Sequence, residues 1–176
     1  MEDLKIEIKL DEGAKMLTPA DDYSVGYDVY SLEDAIVYHG RNVISTGVHV
    51  NLPFGISMII KPRSGFSAQG IEGEEACDSN FDMLVDCLLK GIEYKPSFDS
   101  GITRRFNADV IDGVIDPGYH NAIAVIINNN DKPFKLRKGT RIAQALFIKC
   151  ERPIFNKVDK FEGYNRGGGF GHSGTK

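Results

Sequence analysis

Short apolar runs separated by turn residues make up most of the chain. Residues 4–10 alternate apolar and charged side chains, which is the period-two pattern of a half-buried strand. Further runs rich in β-branched residues predict strands at 35–38, 43–50, 56–60, 122–127 and 141–148. Glycine, proline and asparagine lie between these runs, and no internal repeat or interdomain linker is visible. The pattern predicts one all-β domain, built as a sandwich, a barrel or a jelly roll.

One acidic segment, from about 72 to 100, departs from the strand pattern. Within it, residues 81–90 place five apolar side chains on one helical face: Phe81, Leu84, Val85, Leu88 and Leu89. Ser79 or Asn80 is suited to cap this helix, and Gly91 is suited to end it. The sequence therefore predicts a small helical insertion on the β scaffold.

Composition narrows the class of protein. The chain has 176 residues and a formal net charge of -4, which fits one globular domain and disfavours a nucleic-acid binder, since such proteins normally carry a basic face. No apolar run has the length of a membrane span, and the charged N-terminus lacks the apolar core of a secretion signal. Cys77, Cys87 and Cys150 show no metal-ligand spacing, which favours reduced thiols. We expect a cytoplasmic location, or the host cytoplasm for a viral source, with no nucleic-acid or membrane partner.

The C-terminal residues 165–176 are rich in glycine and are built around Arg166 and Phe170. A segment with so few large apolar side chains forms no core and stays mobile until another molecule orders it. Arginine suits a phosphate and phenylalanine suits a flat ring, and a nucleotide offers both. We therefore predict a domain over 1–164 followed by a mobile tail that closes over a bound nucleotide. A tail without any role is the alternative.

An arginine, a hydroxyl and a glycine follow one another at Arg63, Ser64 and Gly65, directly after a predicted strand. Arginine binds phosphate oxygens in a bidentate manner, and a serine hydroxyl and backbone N–H groups add donors. This segment is a candidate phosphate site, and an ordinary polar turn is the alternative.

A Pro117-Gly118 turn signal separates two apolar runs and predicts a β-hairpin around 112–121. Asp116 stands at the start of the turn, where it either caps the turn or acts as a general base that orients a water. Tyr119 follows three residues on, and its ring is placed to lie against a sugar. A purely structural role for both residues is the alternative.

Polar residues also interrupt two apolar stretches elsewhere. Asp28 lies within the stretch 24–30, and Arg141 and Gln144 open a later strand. Because buried polar groups need partners, these three side chains either satisfy one another or line a site.

Taken together, in this order and spacing, the five segments resemble the five motifs of the homotrimeric dUTP diphosphatases, or dUTPases. The resemblance runs from about Tyr23 to Gly174 and is interrupted by the predicted insertion. It implies a distorted jelly roll and a homotrimer whose active sites are each lined by more than one subunit. It also implies Mg²⁺-dependent hydrolysis of dUTP to dUMP and pyrophosphate, with water attacking the α-phosphorus.

The resemblance assigns metal and phosphate roles to three of the motifs and to the tail. Asp28 matches the aspartate that helps to organise the metal–triphosphate region, and no residue matches a direct protein ligand of the metal. The phosphate contacts that it implies are Arg63, Ser64, Gly65, Gln144 and Arg166.

The nucleoside roles come from the predicted hairpin and the tail. Asp116 matches the aspartate that positions the attacking water, and Tyr119 matches the tyrosine under the deoxyribose. Gly113 and Ala124 fall where hairpin backbone groups pair with uracil. Phe170 matches the tail phenylalanine that stacks on the base.

Some positions depart from the family pattern. Aligned on Phe170, the usual tail arginine falls at Asn165, whereas Arg166 lies one residue closer. Val110 stands where an asparagine is often found, and His120 stands where an arginine usually follows the tyrosine. None of these departures removes a core catalytic group.

The predicted insertion at about 72–100 joins the second and third motifs, where family members normally have a short connection. The apolar face of its predicted helix must be buried against another protein surface, away from water. We expect it to dock against its own trimer near the rim of the active site. Contact with a protein partner is the alternative.

Two other functions remain as alternatives. A dCTP deaminase shares the fold, but its chemistry needs a glutamate beside the base, and residues 120–124 contain none. The other alternative is a regulatory or binding protein that keeps the fold and uses the insertion to contact a partner.

Overall fold

The computed structural model describes residues 4–77, 89–91, 97–98 and 101–164. These residues form fourteen strands and one short helix. The strands are β1 (Glu7–Leu10), β2 (Thr18–Pro19), β3 (Tyr27–Tyr30), β4 (Ala35–Val37), β5 (Gly40–Ser45), β6 (Val48–Asn51), β7 (Ile56–Lys61), β8 (Ile71–Glu75), β9 (Thr103–Phe106), β10 (Ala108–Ile111), β11 (Gly113–Ile115), β12 (Ala124–Asn129), β13 (Phe134–Leu136) and β14 (Arg141–Lys149), and the helix is α1 (Ser64–Gln69).

The strands form four antiparallel sheets. Their orders are β1-β6, β10-β12-β5, β11-β7-β14-β3-β2 and β4-β13-β8-β9. Most neighbours are distant in sequence, as when β14 pairs with both β3 and β7. This arrangement confirms the predicted all-β, jelly-roll-like fold.

One hydrophobic core joins all four sheets. Val48, Val125, Met58 and Phe134 each come from a different sheet, and each is almost fully buried in the same cluster. The ring of Phe134 stacks on Phe106 with centroids 4.4 Å apart. Because apolar burial is the main stabilising term, the sheets fold as a unit and hold the loops between them in place.

Several predicted strands are confirmed within a residue or two. The runs at 35–38, 56–60 and 141–148 correspond to β4, β7 and β14. The single strand predicted over 43–50 is wrong, since the structure divides it into β5 and β6 in different sheets. Gly47 lies between them with a φ of 65°, a left-handed conformation that breaks a strand.

The predicted insertion leaves the scaffold at the tip of the β8–β9 hairpin. Beyond the paired strands, the Cys77 N–H donates to the Ser97 carbonyl at 2.8 Å. Residues 72–75 of the predicted segment are therefore part of β8 in the sheet. The predicted helix at 81–90 lies outside the described residues apart from Leu89 and Lys90. Among the helical residues that the structure describes, no helix is long and apolar enough to cross a bilayer.

Candidate active site

The pairing of β3, β14 and β7 places a buried carboxylate between two arginines. Asp28 on β3 is 6% exposed. Its Oδ1 accepts a hydrogen bond from Arg63 Nε at 2.8 Å, and its Oδ2 accepts one from Arg141 Nη1 at 3.3 Å. Two guanidinium charges thus face one carboxylate charge, so the group has a net positive charge. The Arg141 side chain, at 52% exposed, presents this charge to solvent. Such a cluster holds its guanidinium groups ready for an anion.

Gln144 belongs to the same group of side chains. It lies opposite Asp28 in the β14–β3 register, and its Nε2 donates to the Pro62 carbonyl at 2.9 Å. A Cβ at Gly26 would come within 2.4 Å of Gln144 Oε1, so only glycine leaves room for the amide in this position. Of the three polar residues noted in the sequence, Asp28 and Arg141 pair, while Gln144 bonds the backbone. We call Asp28, Arg63, Arg141 and Gln144 the phosphate cluster.

The segment after β7 is a short helix rather than a plain turn. Arg63 precedes α1 with an extended backbone, and its carbonyl accepts the Phe66 and Ser67 N–H groups at 2.9 and 3.1 Å. Ser64 and Gly65 form the first turn, and a Cβ at Gly65 would meet nothing within 4 Å. The Arg63 guanidinium lies 5.6 Å from the Phe66 ring centroid, which helps to hold it beside Asp28.

A cavity of about 270 Å³ opens beside the phosphate cluster. Arg63 and Arg141 line it together with Lys135, Arg137 and Glu74. The hydrogen bond from Arg137 Nε to Glu74 Oε1, 2.6 Å long, raises the pKa of Arg137. Glu72 also lines the cavity, so four basic side chains face two acidic ones and the wall carries a net positive charge, which suits an anion.

The predicted turn at 116–119 forms through its main chain. The Tyr119 N–H donates to the Asp116 carbonyl at 3.1 Å, and the Tyr119 hydroxyl donates to the Ala122 carbonyl at 3.3 Å. Within the described part of the chain, the Asp116 carboxylate has no hydrogen bond, and Asp116 is exposed. The carboxylate therefore does not cap its own turn. We call residues 116–122 the exposed turn.

The predicted hairpin is only partly formed. β10 and β12 pair with Ile111 opposite Ile126, and continuing this register would place Gly113 opposite Ala124. Instead β11 pairs with β7 in another sheet, with Gly113 opposite Ile60. The two strands therefore separate beyond Ile111, because β7 offers β11 a free edge. The β-hairpin predicted around 112–121 therefore has its turn but not its strand pairing, and the strands diverge where Gly113 and Ala124 lie.

The structure thus divides the predicted site residues into two groups. Asp28, Arg63 and Gln144 come together with Ser64 and Gly65. The second group comprises Asp116, Tyr119, Gly113 and Ala124. Among the described residues, no hydrogen bond or ion pair joins Asp116 or Tyr119 to the phosphate cluster. Arg166 and Phe170 lie outside the described residues.

Sequence reasoning missed two features of these groups. Gly26 makes room for Gln144, and its place two residues before Asp28 is the only sequence signal. Lys61 forms an ion pair with Asp112 at 2.5 Å where β7 meets β11, which the sequence does not signal.

Fold and site together define an all-β protein with a preorganised anion site and, on a separate turn, an exposed carboxylate. Comparison with known proteins narrows this class. The dUTPase family profile matches residues 12–81 and 99–174 and leaves 82–98, within the predicted insertion, unmatched. The deoxyuridine 5'-triphosphate nucleotidohydrolase of Clostridium tetani is 30% identical over 174 residues, which is 97% of this chain and 96% of the relative. That of Paramecium bursaria Chlorella virus 1 is 30% identical over 169 residues and 94% of each chain. The chain belongs to the dUTPase family and is a hydrolase of nucleotide metabolism.

Solved structures agree on the fold. A dUTPase of Staphylococcus bacteriophage 80alpha, studied with dUpNHpp, superposes with a TM-score of 0.72 and 21% identity over 97% of this chain and 99% of that chain. The dUTPase of phage phi11 of S. aureus, which carries a species-specific insert, superposes with a TM-score of 0.67 and 18% identity over 92% of this chain and 100% of that chain.

Proposed function

We propose that the chain hydrolyses dUTP to dUMP and pyrophosphate. Family membership supports this function over a deaminase or a binding protein without activity. The observation in the fold that carries the proposal is the separation of β11 from β12 beyond Ile111. This separation leaves an opening between β11 and β12. The exposed Asp116 follows β11, and the neighbouring strand β7 leads to Arg63 of the phosphate cluster.

The opening is suited to a flat base. We assign uracil to the backbone groups of Gly113 and Ala124, whose strands are not paired with each other. Fixed backbone donors and acceptors discriminate uracil from cytosine, because a mismatched base leaves them unpaired. The deoxyribose lies against the ring of Tyr119, which is 41% exposed and able to contact a ligand.

The phosphates fit the phosphate cluster. Arg63 and the first turn of α1, with Ser64 and Gly65, supply donors to phosphate oxygens, and Gln144 adds an amide. Asp28 orients the two guanidinium groups that surround it. Assigning the tail residues Arg166 and Phe170 to the terminal phosphate and the base remains a prediction from the sequence.

The donor set also fits Mg²⁺ bound through the substrate. Each Asp28 oxygen accepts one arginine hydrogen bond and keeps a lone pair for a metal-bound water. Mg²⁺ prefers to keep waters and to bind substrate phosphates rather than a full protein cage. When bound, it neutralises charge on the triphosphate. The similar phage phi11 dUTPase is described with a structural Mg(II) ion.

We assign the proton transfer to Asp116. Its carboxylate accepts a proton from a water whose oxygen bonds to the α-phosphorus, while the bond from that phosphorus to the bridging oxygen breaks and pyrophosphate leaves. The free, exposed carboxylate supports this role, since no described group competes for it.

We further propose that the active site is completed in a homotrimer. Among the described residues, no hydrogen bond or ion pair joins Asp116 to the phosphate cluster of its own chain, which leaves room for a second subunit to contribute one of the two groups. The C-terminal arm 151–164 supports assembly, because it exposes large apolar side chains that a partner would cover: Ile154, Phe155, Phe161 and Tyr164, each at least 89% exposed.

The decisive assay measures pyrophosphate release from dUTP, dCTP and UTP, with ammonia release monitored in parallel. We expect rapid release from dUTP alone and no ammonia from dCTP. Ammonia from dCTP would establish a deaminase, and no product from any nucleotide would overturn the enzymatic function. Measuring the molar mass by light scattering in the same samples tests the trimer.

A further inference from the structure

The exposed turn touches the rest of the chain at a small number of points. Its far end leads into Ile123, whose N–H donates to the Val48 carbonyl at 2.8 Å. Within the described part of the chain, the only hydrogen bonds that leave residues 116–122 are made by His120, and both go to β6. The His120 carbonyl contacts His49, and the His120 ring contacts Asn51. Strand β6 therefore supports the far half of the turn, whereas the near end continues from β11, where Ile115 pairs with Met58 of β7.

The His49 side chain contacts two separate segments of the chain. Its side chain is 17% exposed and lies between the exposed turn and the segment after β1. Nδ1 is 2.8 Å from the His120 carbonyl oxygen, and Nε2 is 3.1 Å from Asp11 Oδ1. The Asp11 main chain is also tied to this region, because its N–H donates to the Gly47 carbonyl at 2.8 Å.

The two partners of the ring are both hydrogen-bond acceptors. A carbonyl oxygen and an ionised carboxylate only accept hydrogen bonds, so each ring nitrogen needs a proton to bond its partner. A neutral imidazole carries only one proton and would leave one of the two contacts unmade. The contact with the turn needs the proton on Nδ1, and a ring that carries both protons makes both contacts.

We propose that His49 is a positioning residue that clamps the exposed turn from outside the substrate site. Held by Asp11, its Nδ1–H donates to the His120 carbonyl and keeps the adjoining residues 116–119 in place. This inference rests on the proposed role of Asp116 as the base. The clamp acts on kcat, because a displaced base reduces the rate of the chemical step, whereas the phosphate cluster still binds the triphosphate.

Two amide variants separate the two contacts. In His49→Asn the amide nitrogen lies close to the position of Nδ1 and keeps the bond to His120, whereas the bond to Asp11 is lost. In His49→Gln the amide nitrogen lies close to the position of Nε2 and keeps the bond to Asp11, whereas the bond to the turn is lost. Each variant loses one hydrogen bond from the same half-buried site, and the Tm of both is measured because His49→Asn loses the bond to a carboxylate.

We expect His49→Gln to lose about tenfold in kcat for dUTP with little change in KM, since small displacements of a catalytic group have effects of this order or larger. His49→Asn should keep most of the wild-type kcat at a similar Tm. Equal kcat values for the two variants, whether normal or reduced in proportion to Tm, would overturn the clamp.

A spectroscopic measurement on the unmodified chain avoids any dependence on variant folding. Ring ¹⁵N–¹H correlation spectra should show the proton of His49 on Nδ1, where it faces the His120 carbonyl, and a bare Nδ1 would overturn the proposal. Asp116→Asn, measured alongside, separates the two hypotheses. If it is inactive while both His49 variants are normal, only the clamp fails. If it retains turnover, the assignment of the base fails, whatever the spectra show.

Discussion

Asp28 and Asp116 are both carboxylates of the candidate active site, yet their surroundings are opposite. Asp28 is 6% exposed and is bonded by Arg63 and Arg141. Asp116 lies on the exposed turn, and its carboxylate has no hydrogen bond within the described residues. The first carboxylate is part of the folded scaffold, whereas the second is free to act on a ligand.

Under the proposed function, this difference separates binding from chemistry within one chain. A buried charge needs partners that hold it in place, so the phosphate cluster is organised before any ligand arrives. A general base must keep a lone pair free for a proton, so a carboxylate already bound by arginines would serve poorly. Substitutions in the two regions should therefore affect different quantities.

The largest expected effect is on turnover, at Asp116. Asp116→Asn keeps the size of the side chain and removes the base, so kcat for dUTP should fall by roughly 10²–10⁴-fold. The affinity for dUTP and the Tm should be largely unchanged. Steady-state pyrophosphate release and thermal unfolding measure both quantities.

Asp109→Asn is the matched control for this variant, because Asp109 is an exposed aspartate on β10 that lies outside the site. It should behave as wild type. Near-normal turnover in Asp116→Asn would mean that the exposed carboxylate is not the base.

The next effect is on stability, at Asp28. Asp28→Asn places an amide N–H group against one of the two arginines, so one hydrogen bond is lost and both guanidinium groups lose the neutralising charge of the buried carboxylate. We expect the free energy of unfolding to fall by about 2–3 kcal/mol, as for the loss of a buried bond to a charged group. Chemical denaturation checks this value. If Asp28→Asn were as stable as Asp109→Asn, the phosphate cluster would not be part of the scaffold.

Sugar selection at Tyr119 should change by a smaller factor. If the ring leaves no room for a 2′-hydroxyl, Tyr119→Ala should lower the ratio of kcat/KM for dUTP over UTP by about 10- to 200-fold, the range of a single packing contact. Tyr119→Phe keeps the ring and serves as the control, with the ratio preserved. A ratio that is already near one in the wild type would rule out this role.

Gly26→Ala tests the binding region without removing a functional group. The added Cβ would clash with Gln144 Oε1 and displace the amide, while the rest of the cluster stays intact. KM for dUTP should rise about tenfold, which corresponds to one lost hydrogen bond to a charged group, with kcat largely unchanged. Should kcat fall instead, Gln144 would act in the chemical step and the two regions would not be separate.

The smallest expected effect is on the free energy of unfolding in acid, and it depends on Asp34. The hydrogen bond from Lys135, together with the Lys138 N–H, lowers the pKa of Asp34 below its ordinary value of 3.8. The ionised carboxylate therefore stabilises the loop before Arg141 above that ordinary pKa, and this contribution is lost as the pH falls through the lower folded-state pKa.

Asp34→Asn should accordingly be slightly less stable than wild type at neutral pH, and the gap should close in strong acid. The effect is small because the side chain is 43% exposed and screened by solvent. Urea titrations from pH 7 to about pH 2 measure it. A gap that widens on acidification would contradict the sign of this linkage.

Local patterns accounted for much of the fold. Runs of β-branched residues are long enough to identify β7 and β14, since both strands are buried on their inner faces. The six-residue helix α1 was not predicted, because it is too short to display a helical period. The break at Gly47 was also missed, since glycine alone does not reveal whether its φ is positive.

For the candidate site, too, the sequence indicated residue types but not their contacts. Residue types and order in the motif segments were sufficient to indicate a nucleotide enzyme and to name Asp28, Arg63 and Asp116. The sequence did not reveal which groups pair, and it left Asp28, Arg141 and Gln144 to satisfy one another. In the structure Gln144 bonds the Pro62 carbonyl instead, since β14 lies between β3 and β7.

The sequence by itself therefore determined the family, the all-β class and the candidate reactive groups, because residue types and turn residues are local properties of single positions. Only the tertiary structure decided which strands pair and which side chains contact one another. β11 had two edges with which to pair, and it joined β7 rather than β12. The clamp of His49 on the exposed turn likewise arises from segments 71 residues apart. Such choices depend on competition between distant strands for the same hydrogen bonds and the same core, and no local pattern records the outcome of that competition.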